Sequence, residues 1–162
     1  MGFELPRRLA GACYMGEMVG LQNEVALEVA VGHLLRQRGL TLSVAESCTG
    51  GLVSHRITDV AGSSTYYQGS VTSYSNAVKE RVLGVQHETL ARYGAVSEQA
   101  ARQMAQGVRD VLRSNIGLAV TGIAGPDGGS PEKPVGTMCI GLAVPKKSMA
   151  RRFHFGQGQR LM

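Results

Sequence analysis

Apolar and polar residues recur with two different periods along this chain. From Leu21 to Arg38 the apolar positions follow the three- and four-residue spacing of a helix, and Gly39 is suited to end it. Short apolar runs over Thr41–Ala45 and Ile116–Thr121 are typical of buried strands. The same criteria predict helices at Thr49–Thr58, Asn76–Leu83, Gln86–Tyr93 and from Ser97 to about Arg113, and strands at Tyr66–Tyr74, Thr137–Val144 and Met149–Phe155.

The order of these elements predicts the fold class. Strands that alternate with helices indicate an α/β sheet covered by helices on both faces. Val144–Phe153 is predicted to form a hairpin, which would add an antiparallel edge to the sheet. A chain of 162 residues suits one domain built around one core.

Composition and charge narrow the function classes. The net charge is +5, but the basic residues are dispersed and aromatic residues make up only 5% of the chain. A nucleic-acid binder usually concentrates its charge on one face, so a soluble basic protein or one that binds a small anion is favoured. Residues 1–20 are predicted to be a disordered leader, and no apolar run is long enough to span a bilayer.

The three cysteines, Cys13, Cys48 and Cys139, do not form a recognisable framework. An odd count without CxxC spacing argues against structural disulfides and a zinc site. Reduced thiols in a cytoplasmic protein are the simpler interpretation. No Asp/His cluster suggests a metal, and no cofactor is expected.

Two glycine-rich stretches follow predicted strands, ESCTGG at residues 46–51 and TGIAGPDGG at residues 121–129. In an open α/β sheet, ligands bind beyond the carboxyl ends of the strands. Glycines expose backbone N–H groups, which can bind an anion or an oxyanion. The first stretch lacks the lysine of a P-loop, so a bound ligand and mere tight turns both remain open.

A serine hydroxyl in the first stretch would need a base to become a nucleophile. The four histidines lie on predicted helix faces or on an edge strand and are interpreted as surface residues. Lys79, near the start of a predicted helix, could act as a neutral amine if burial lowered its pKa. A solvated helix lysine is the alternative, and the residue pattern alone leaves it open.

Four blocks in the same order carry a resemblance to a known family. They are AESCTGG (45–51), YYQGSVTSYSNAVKERVLGV (66–85), GAVSEQAARQMAQGVR (94–109) and AVTGIAGPDGGSPEKPVGTMCIGLA (119–143). The sequence from about residue 21 onward resembles the C-terminal domain of the competence/damage-inducible protein CinA, whose stand-alone members are nicotinamide mononucleotide (NMN) amidohydrolases of the PncC type. The resemblance implies a three-layer α/β/α fold with a mixed, mostly parallel sheet of about five strands. It also implies hydrolysis of NMN to nicotinate mononucleotide and ammonia, in NAD recycling, without a cofactor.

The same resemblance implies roles for individual residues. Ser47 is the expected nucleophile, Lys79 its base and Tyr74 an orienting group, although Tyr74 could also be a core aromatic. Cys48 is expected to point away from Ser47 as a packed thiol. The residues expected to contact substrate or shape its site are Glu46, Thr49, Gly50, Gly51, Asn76, Thr121, Gly122 and Gly125. Glu46 could instead hold the loop.

The chain departs from the family pattern at both ends. The N-terminal domain of the larger CinA proteins, with its different activity, is not expected in these 162 residues. Gly158-Gln159-Arg160 stands where a Gly-Asp-Arg motif usually leads into a final helix, so residues 21–162 are predicted to form the domain without that helix. The alternative function is a catalytically silent homologue that binds a nucleotide or a partner. Self-association is also expected from the family.

Overall fold

The computed structural model describes residues 26–156, which form five helices and five strands. A short 3₁₀ turn at Ser63–Thr65 precedes the second strand. In chain order the elements are α1 Leu27–Arg38, β1 Leu42–Glu46, α2 Leu52–Thr58, β2 Tyr67–Thr72, α3 Asn76–Leu83, α4 His87–Tyr93, α5 Glu98–Val111, β3 Ile116–Gly122, β4 Thr137–Val144 and β5 Lys147–His154.

The five strands form one mixed sheet in the order β2-β1-β3-β4-β5. β1 pairs in parallel with both β2 and β3, whereas β4 is antiparallel to β3 and to β5. Four strands therefore run in one direction and β4 runs in the other. This confirms the predicted mixed, mostly parallel sheet with an antiparallel hairpin at one edge.

Helices cover the sheet on both faces and create two apolar cores. On one face, α3, α4 and α5 pack through Leu83, Leu90 and Met104 onto small strand residues such as Ala119. On the other face, α1 and α2 pack through Leu35 and Ile57 onto β1. Successive side chains of each strand point to opposite faces and so contribute to both cores. This confirms the three-layer α/β/α architecture.

Glycines allow α5 to lie unusually close to the sheet. A side chain at Gly117 would collide with the carbonyl oxygen of Ala105, and one at Gly141 with that of Ala101. Both carbonyls belong to α5, which contacts β1, β3, β4 and β5. This close packing fixes α5 as the rigid support behind the central strands.

Several predicted boundaries shift by a few residues. The helix predicted from Thr49 begins at Leu52, because Gly50 and Gly51 adopt positive φ angles of 62° and 106° and form a turn first. The strand predicted to reach Tyr74 ends at Thr72, and the last strand begins at Lys147 instead of Met149. The leader at 1–20, Cys13, the helix start at Leu21 and the 158–160 motif lie outside the described residues.

The helices of the described range are short, and the longest, α5, has 14 residues. None of those between residues 26 and 156 is long and apolar enough to cross a membrane. In the same range, no three His, Cys, Asp or Glu side chains cluster as they would around a metal ion.

Candidate active site

The ends of three parallel strands converge on one cavity. Because β1 pairs in parallel with β2 and β3, their carboxyl ends meet at the same edge of the sheet. A cavity of about 320 Å³ opens there. The expected site residues that line it are Ser47, Tyr74, Asn76, Lys79, Thr121, Gly122 and Gly125.

Ser47 and Lys79 meet inside this cavity. Lys79 Nζ lies 3.1 Å from Ser47 Oγ, and the lysine side chain is only 1% exposed. The same Nζ donates to the carbonyl oxygens of Ser73 at 2.6 Å and Tyr74 at 3.3 Å. The alternative of a solvated helix lysine is therefore wrong.

Local structure explains why Lys79 points inward. Ser75 caps α3 by accepting a hydrogen bond from the N–H of Val78, which fixes where the helix begins. Lys79 and Leu83 then lie one turn apart on the buried face of α3. The helix packs against α5, so the lysine stem is enclosed and its amine emerges beside Ser47.

The surroundings of Lys79 favour its neutral form. Burial lowers the pKa of Lys79, and the nearby Cys48 thiol offsets only part of that shift. No described carboxylate forms an ion pair with it. A neutral amine has two hydrogens, and the two main-chain carbonyls can accept both. The charged amine donates to Ser47 Oγ as well, whereas the neutral amine would keep its lone pair for the Ser47 hydroxyl, as a general base requires.

Glu46 does not line the cavity, in contrast to the expected substrate contact. Its fully buried carboxylate faces α2. Oε2 accepts from the N–H groups of Gly51 and Val53, each at 3.1 Å, and Oε1 accepts from Ser54 N at 2.9 Å and Ser54 Oγ at 2.5 Å. Glu46 is the last residue of β1 and points towards α2, whereas Ser47 is the first residue after the strand and faces the cavity. The alternative expectation, that Glu46 holds the loop, agrees with this geometry.

The turn after Ser47 also differs from the expectation. Thr49, Gly50 and Gly51 were expected to offer N–H groups to a ligand, but they do not line the cavity. The N–H of Gly50 donates to the Ser47 carbonyl at 3.2 Å, and that of Gly51 is bound by Glu46. The two glycines serve the tight turn that leads into α2.

Cys48 lines the cavity beside Ser47, so the expectation of a thiol packed away from the site is wrong. Strand alternation stops at Glu46, and the turn that follows returns Cys48 to the same side. A Cβ atom added to Gly122 would lie 3.0 Å from Cys48 Sγ. Two potential nucleophiles therefore share one cavity, and Ser47 is hydrogen-bonded to Lys79.

The opposite wall comes from the end of β3 and the long loop after it. The buried Thr121 hydroxyl donates to the Ala95 carbonyl at 3.0 Å, which ties β3 to the segment before α5. Gly122 and Gly125 can present only main-chain atoms to the cavity. Lys133 holds the loop in place, because its Nζ donates to the Tyr93 carbonyl at the end of α4 at 2.7 Å.

Tyr74 is 64% exposed and lines the cavity, so it is not a core aromatic. Sequence reasoning missed Ser73, whose carbonyl accepts the shortest hydrogen bond from Lys79. It also missed Asp127, an acidic group in the cavity wall. The position of Asp127 in the glycine-rich loop could have indicated a ligand contact. The role of Ser73 could not be predicted from its residue type, because every residue has a main-chain carbonyl.

Known proteins resemble this chain in sequence over most of its length. The CinA C-terminal domain family matches residues 24–162. A CinA-like protein of Salinibacter ruber is 50% identical over 138 residues, covering 85% of this chain and 34% of that protein. A putative competence-damage inducible protein of Desulforudis audaxviator is 50% identical over 149 residues, covering 92% of this chain and 36% of the relative. The chain thus spans about a third of the length of these relatives.

Solved structures show the same fold. The crystal structure of a competence/damage inducible protein, CihA, from Agrobacterium tumefaciens superposes with a TM-score of 0.78 at 41% identity, covering 80% of this chain and 79% of that one. A competence damage-inducible protein from Klebsiella pneumoniae gives 0.77 at 34% identity, covering 80% of each chain. Because the family matches most of the sequence and the fold agrees, this chain belongs to the CinA C-terminal domain family.

Proposed function

We propose that this chain is an amidase that hydrolyses the carboxamide of NMN, giving nicotinate mononucleotide and ammonia. The observation that carries the proposal is the buried hydrogen bond between Lys79 Nζ and Ser47 Oγ at the edge of a cavity. A hydroxyl paired with a desolvated amine is a suitable nucleophile for acyl transfer. The choice of NMN rests on the family resemblance.

In the first half of the reaction, neutral Lys79 removes the proton of Ser47 as Oγ attacks the carboxamide carbon. The carbonyl oxygen becomes a tetrahedral oxyanion, which main-chain N–H groups of the cavity wall would stabilise. The intermediate collapses when its C–N bond breaks. The Lys79 ammonium protonates the departing nitrogen, which leaves as ammonia, and Ser47 remains acylated.

In the second half, water takes the place of ammonia. Lys79, neutral again, accepts a proton from water while the water oxygen attacks the acyl carbon. The bond to Ser47 Oγ breaks, and the proton returns to that oxygen. The net change is amide plus water to carboxylic acid plus ammonia, and Ser47 and Lys79 recover their starting states.

The cavity suits a planar, cationic aromatic ring. Tyr74 offers an exposed aromatic ring at the cavity, and such rings stack with flat heterocycles. Asp127 contributes a carboxylate to the wall, whose charge complements the positive pyridinium ring of NMN. The glycines of the opposite wall let the substrate approach the main chain. In a cell, this reaction would return NMN to NAD synthesis.

The direct test is product analysis. Purified protein is incubated with NMN, and ammonia and nicotinate mononucleotide are quantified together. Equal amounts of both products support the proposal. Release of free nicotinamide instead would indicate cleavage of the glycosidic bond, and no product from a folded protein would contradict the proposal.

A further inference from the structure

Glu46 is a buried charge that the proposed chemistry does not use. Its side chain is fully buried, and no described Lys, Arg or His forms an ion pair with it. An uncompensated carboxylate in the interior would be very unfavourable. Four hydrogen-bond donors compensate it instead, and all four come from Gly51, Val53 and Ser54.

These contacts close a ring around the nucleophile. The chain leaves β1 at Glu46, passes through Ser47 and returns at Gly51 to the carboxylate of Glu46. The main chain of Glu46 is held as well, because its carbonyl accepts from the N–H of Ser73 at 2.8 Å. Ser73 in turn accepts from Lys79. Glu46 is thus connected to both partners of the Ser47–Lys79 pair without contacting the cavity.

We propose that Glu46 is a positioning residue, whose ionised carboxylate holds the turn after Ser47 so that Oγ stays within hydrogen-bonding distance of Lys79. This inference rests on the proposed function for its reaction, but it concerns the geometry of Ser47 whatever the substrate. It replaces the expectation that Glu46 contacts substrate.

The ionised form is the one that fits. Burial alone would raise the pKa of Glu46, but hydrogen bonds from the Ser54 side chain and from the main-chain N–H groups of Val53 and Ser54 outweigh it, and the pKa lies below its ordinary value. Each carboxylate oxygen faces two donors. With its oxygen in the Oε2 position, a glutamine would keep the contacts with Gly51 and Val53 and present its NH₂ group to Ser54. The Ser54 N–H cannot accept from that group, and the Ser54 hydroxyl can do so only by turning its own hydrogen away, so Glu46→Gln is nearly isosteric and yet disrupts the contacts with Ser54.

The Tyr67 hydroxyl extends the hydrogen-bond network around the Glu46 carboxylate. Tyr67 Oη donates to Ser54 Oγ at 2.8 Å, and Ser54 Oγ donates to the Glu46 carboxylate. Ser54→Ala removes one donor and leaves the other three, so it gives a milder change at the same carboxylate. Glu28→Gln is the matched control, since Glu28 also binds α2, through Arg56 at 2.7 Å, but lies far along the chain from Ser47.

The experiment measures how fast Ser47 reacts with a fluorophosphonate probe. In this reaction the Ser47 Oγ–P bond forms, the P–F bond breaks, fluoride leaves and the serine proton passes to Lys79. Wild type, Glu46→Gln, Ser54→Ala and Glu28→Gln are compared by intact mass, after circular dichroism and thermal melting have confirmed that each is folded. Steady-state kcat and KM for NMN are measured alongside.

We expect Glu46→Gln to slow labelling at least tenfold and to lower kcat by a similar factor, with KM changed less than about twofold. Ser54→Ala should show a smaller loss in the same direction, and Glu28→Gln should match wild type. Loss confined to thermal stability, with labelling unchanged in folded protein, would overturn the inference. So would a raised KM with unchanged kcat, which would make Glu46 a substrate contact.

The two readouts separate this inference from the proposed function. Labelled wild type that does not hydrolyse NMN would contradict the proposed substrate, and the effect of Glu46 on labelling would still be measured. Wild type in which Ser47 resists the probe would overturn both, because the nucleophile would not be activated. If Glu46→Gln fails to fold, the labelling rate of Ser54→Ala decides the inference.

Discussion

Lys79 Nζ lies 3.1 Å from Ser47 Oγ, although 32 residues separate them in the chain. Ser47 follows β1, and Lys79 is on the helix that follows β2. Because the two strands are parallel neighbours, their carboxyl ends bring both groups to one edge of the sheet. In the proposed function, Ser47 is the nucleophile of this pair and the buried Lys79 is its base.

The activity should increase with pH through the titration of Lys79. Its ordinary pKa of 10.5 is lowered in the folded protein, and only the neutral amine can accept the serine proton. We expect kcat/KM for NMN to increase about tenfold per pH unit on the acidic side and to level off at an inflection below 10.5. Lys79→Arg, which stays protonated, should lose at least about a hundredfold. An inflection of kcat/KM at or above pH 10.5 would contradict the assignment of a desolvated Lys79 as the base.

The same burial should cost stability. The pKa of Lys79 is lower in the folded protein than its ordinary value of 10.5, so between these two pKa values the unfolded chain binds more protons than the folded protein. The protein therefore gains stability as the pH increases from the folded pKa towards 10.5, and below the folded pKa the full penalty remains. Lys79→Met removes that penalty, so we expect an inactive variant whose free energy of unfolding at pH 7 is higher by about 0.5–2 kcal/mol. Its advantage in melting temperature should shrink as pH approaches 10.5. A variant less stable than wild type at pH 7 would show that the hydrogen bonds of Lys79 outweigh its desolvation.

Gly122 should tolerate no side chain. An added Cβ would lie 2.8 Å from the Thr137 carbonyl oxygen and 3.0 Å from Cys48 Sγ. Gly122→Ala should therefore destabilise the protein by about 1–3 kcal/mol, as overpacking does, and reduce kcat/KM. Gly156→Ala is the matched control, because its Cβ would meet nothing within 4 Å. Equal melting temperatures and activities for the two variants would argue against this close approach.

Lys133 should affect substrate binding more than chemistry. Its amine holds the long loop of the cavity wall to the Tyr93 carbonyl at the end of α4. Lys133→Met should raise KM for NMN several-fold and change kcat less, because Ser47 and Lys79 stay in place. Lys147→Met, an exposed lysine at the start of β5, should leave both constants unchanged. A fall in kcat alone for Lys133→Met would contradict a role in shaping the wall.

The hydrophobic periodicity was sufficient to predict the helices, the strands and the fold class. Each element packs one or both faces against the core, so apolar residues recur at the spacing of that element. The motifs also located Ser47, Lys79 and Gly122 at one cavity. The motifs could not predict which way a side chain points once a strand has ended. Cys48 returns to the cavity because the chain turns after Glu46, and no side-chain pattern specifies the backbone angles of that turn, in which Gly50 and Gly51 have positive φ. The contribution of Ser73 is a main-chain carbonyl, which every residue possesses.

The role of Ser47 is best tested by comparing NMN turnover, followed as ammonia release, in wild type, Ser47→Ala and Cys48→Ala. Cys48 is the stronger intrinsic nucleophile in the same cavity, but Ser47 has the hydrogen bond to Lys79. We expect Cys48→Ala to keep turnover within about threefold of wild type and Ser47→Ala to lose at least about a hundredfold. Turnover that survives Ser47→Ala and disappears in Cys48→Ala would contradict this role of Ser47.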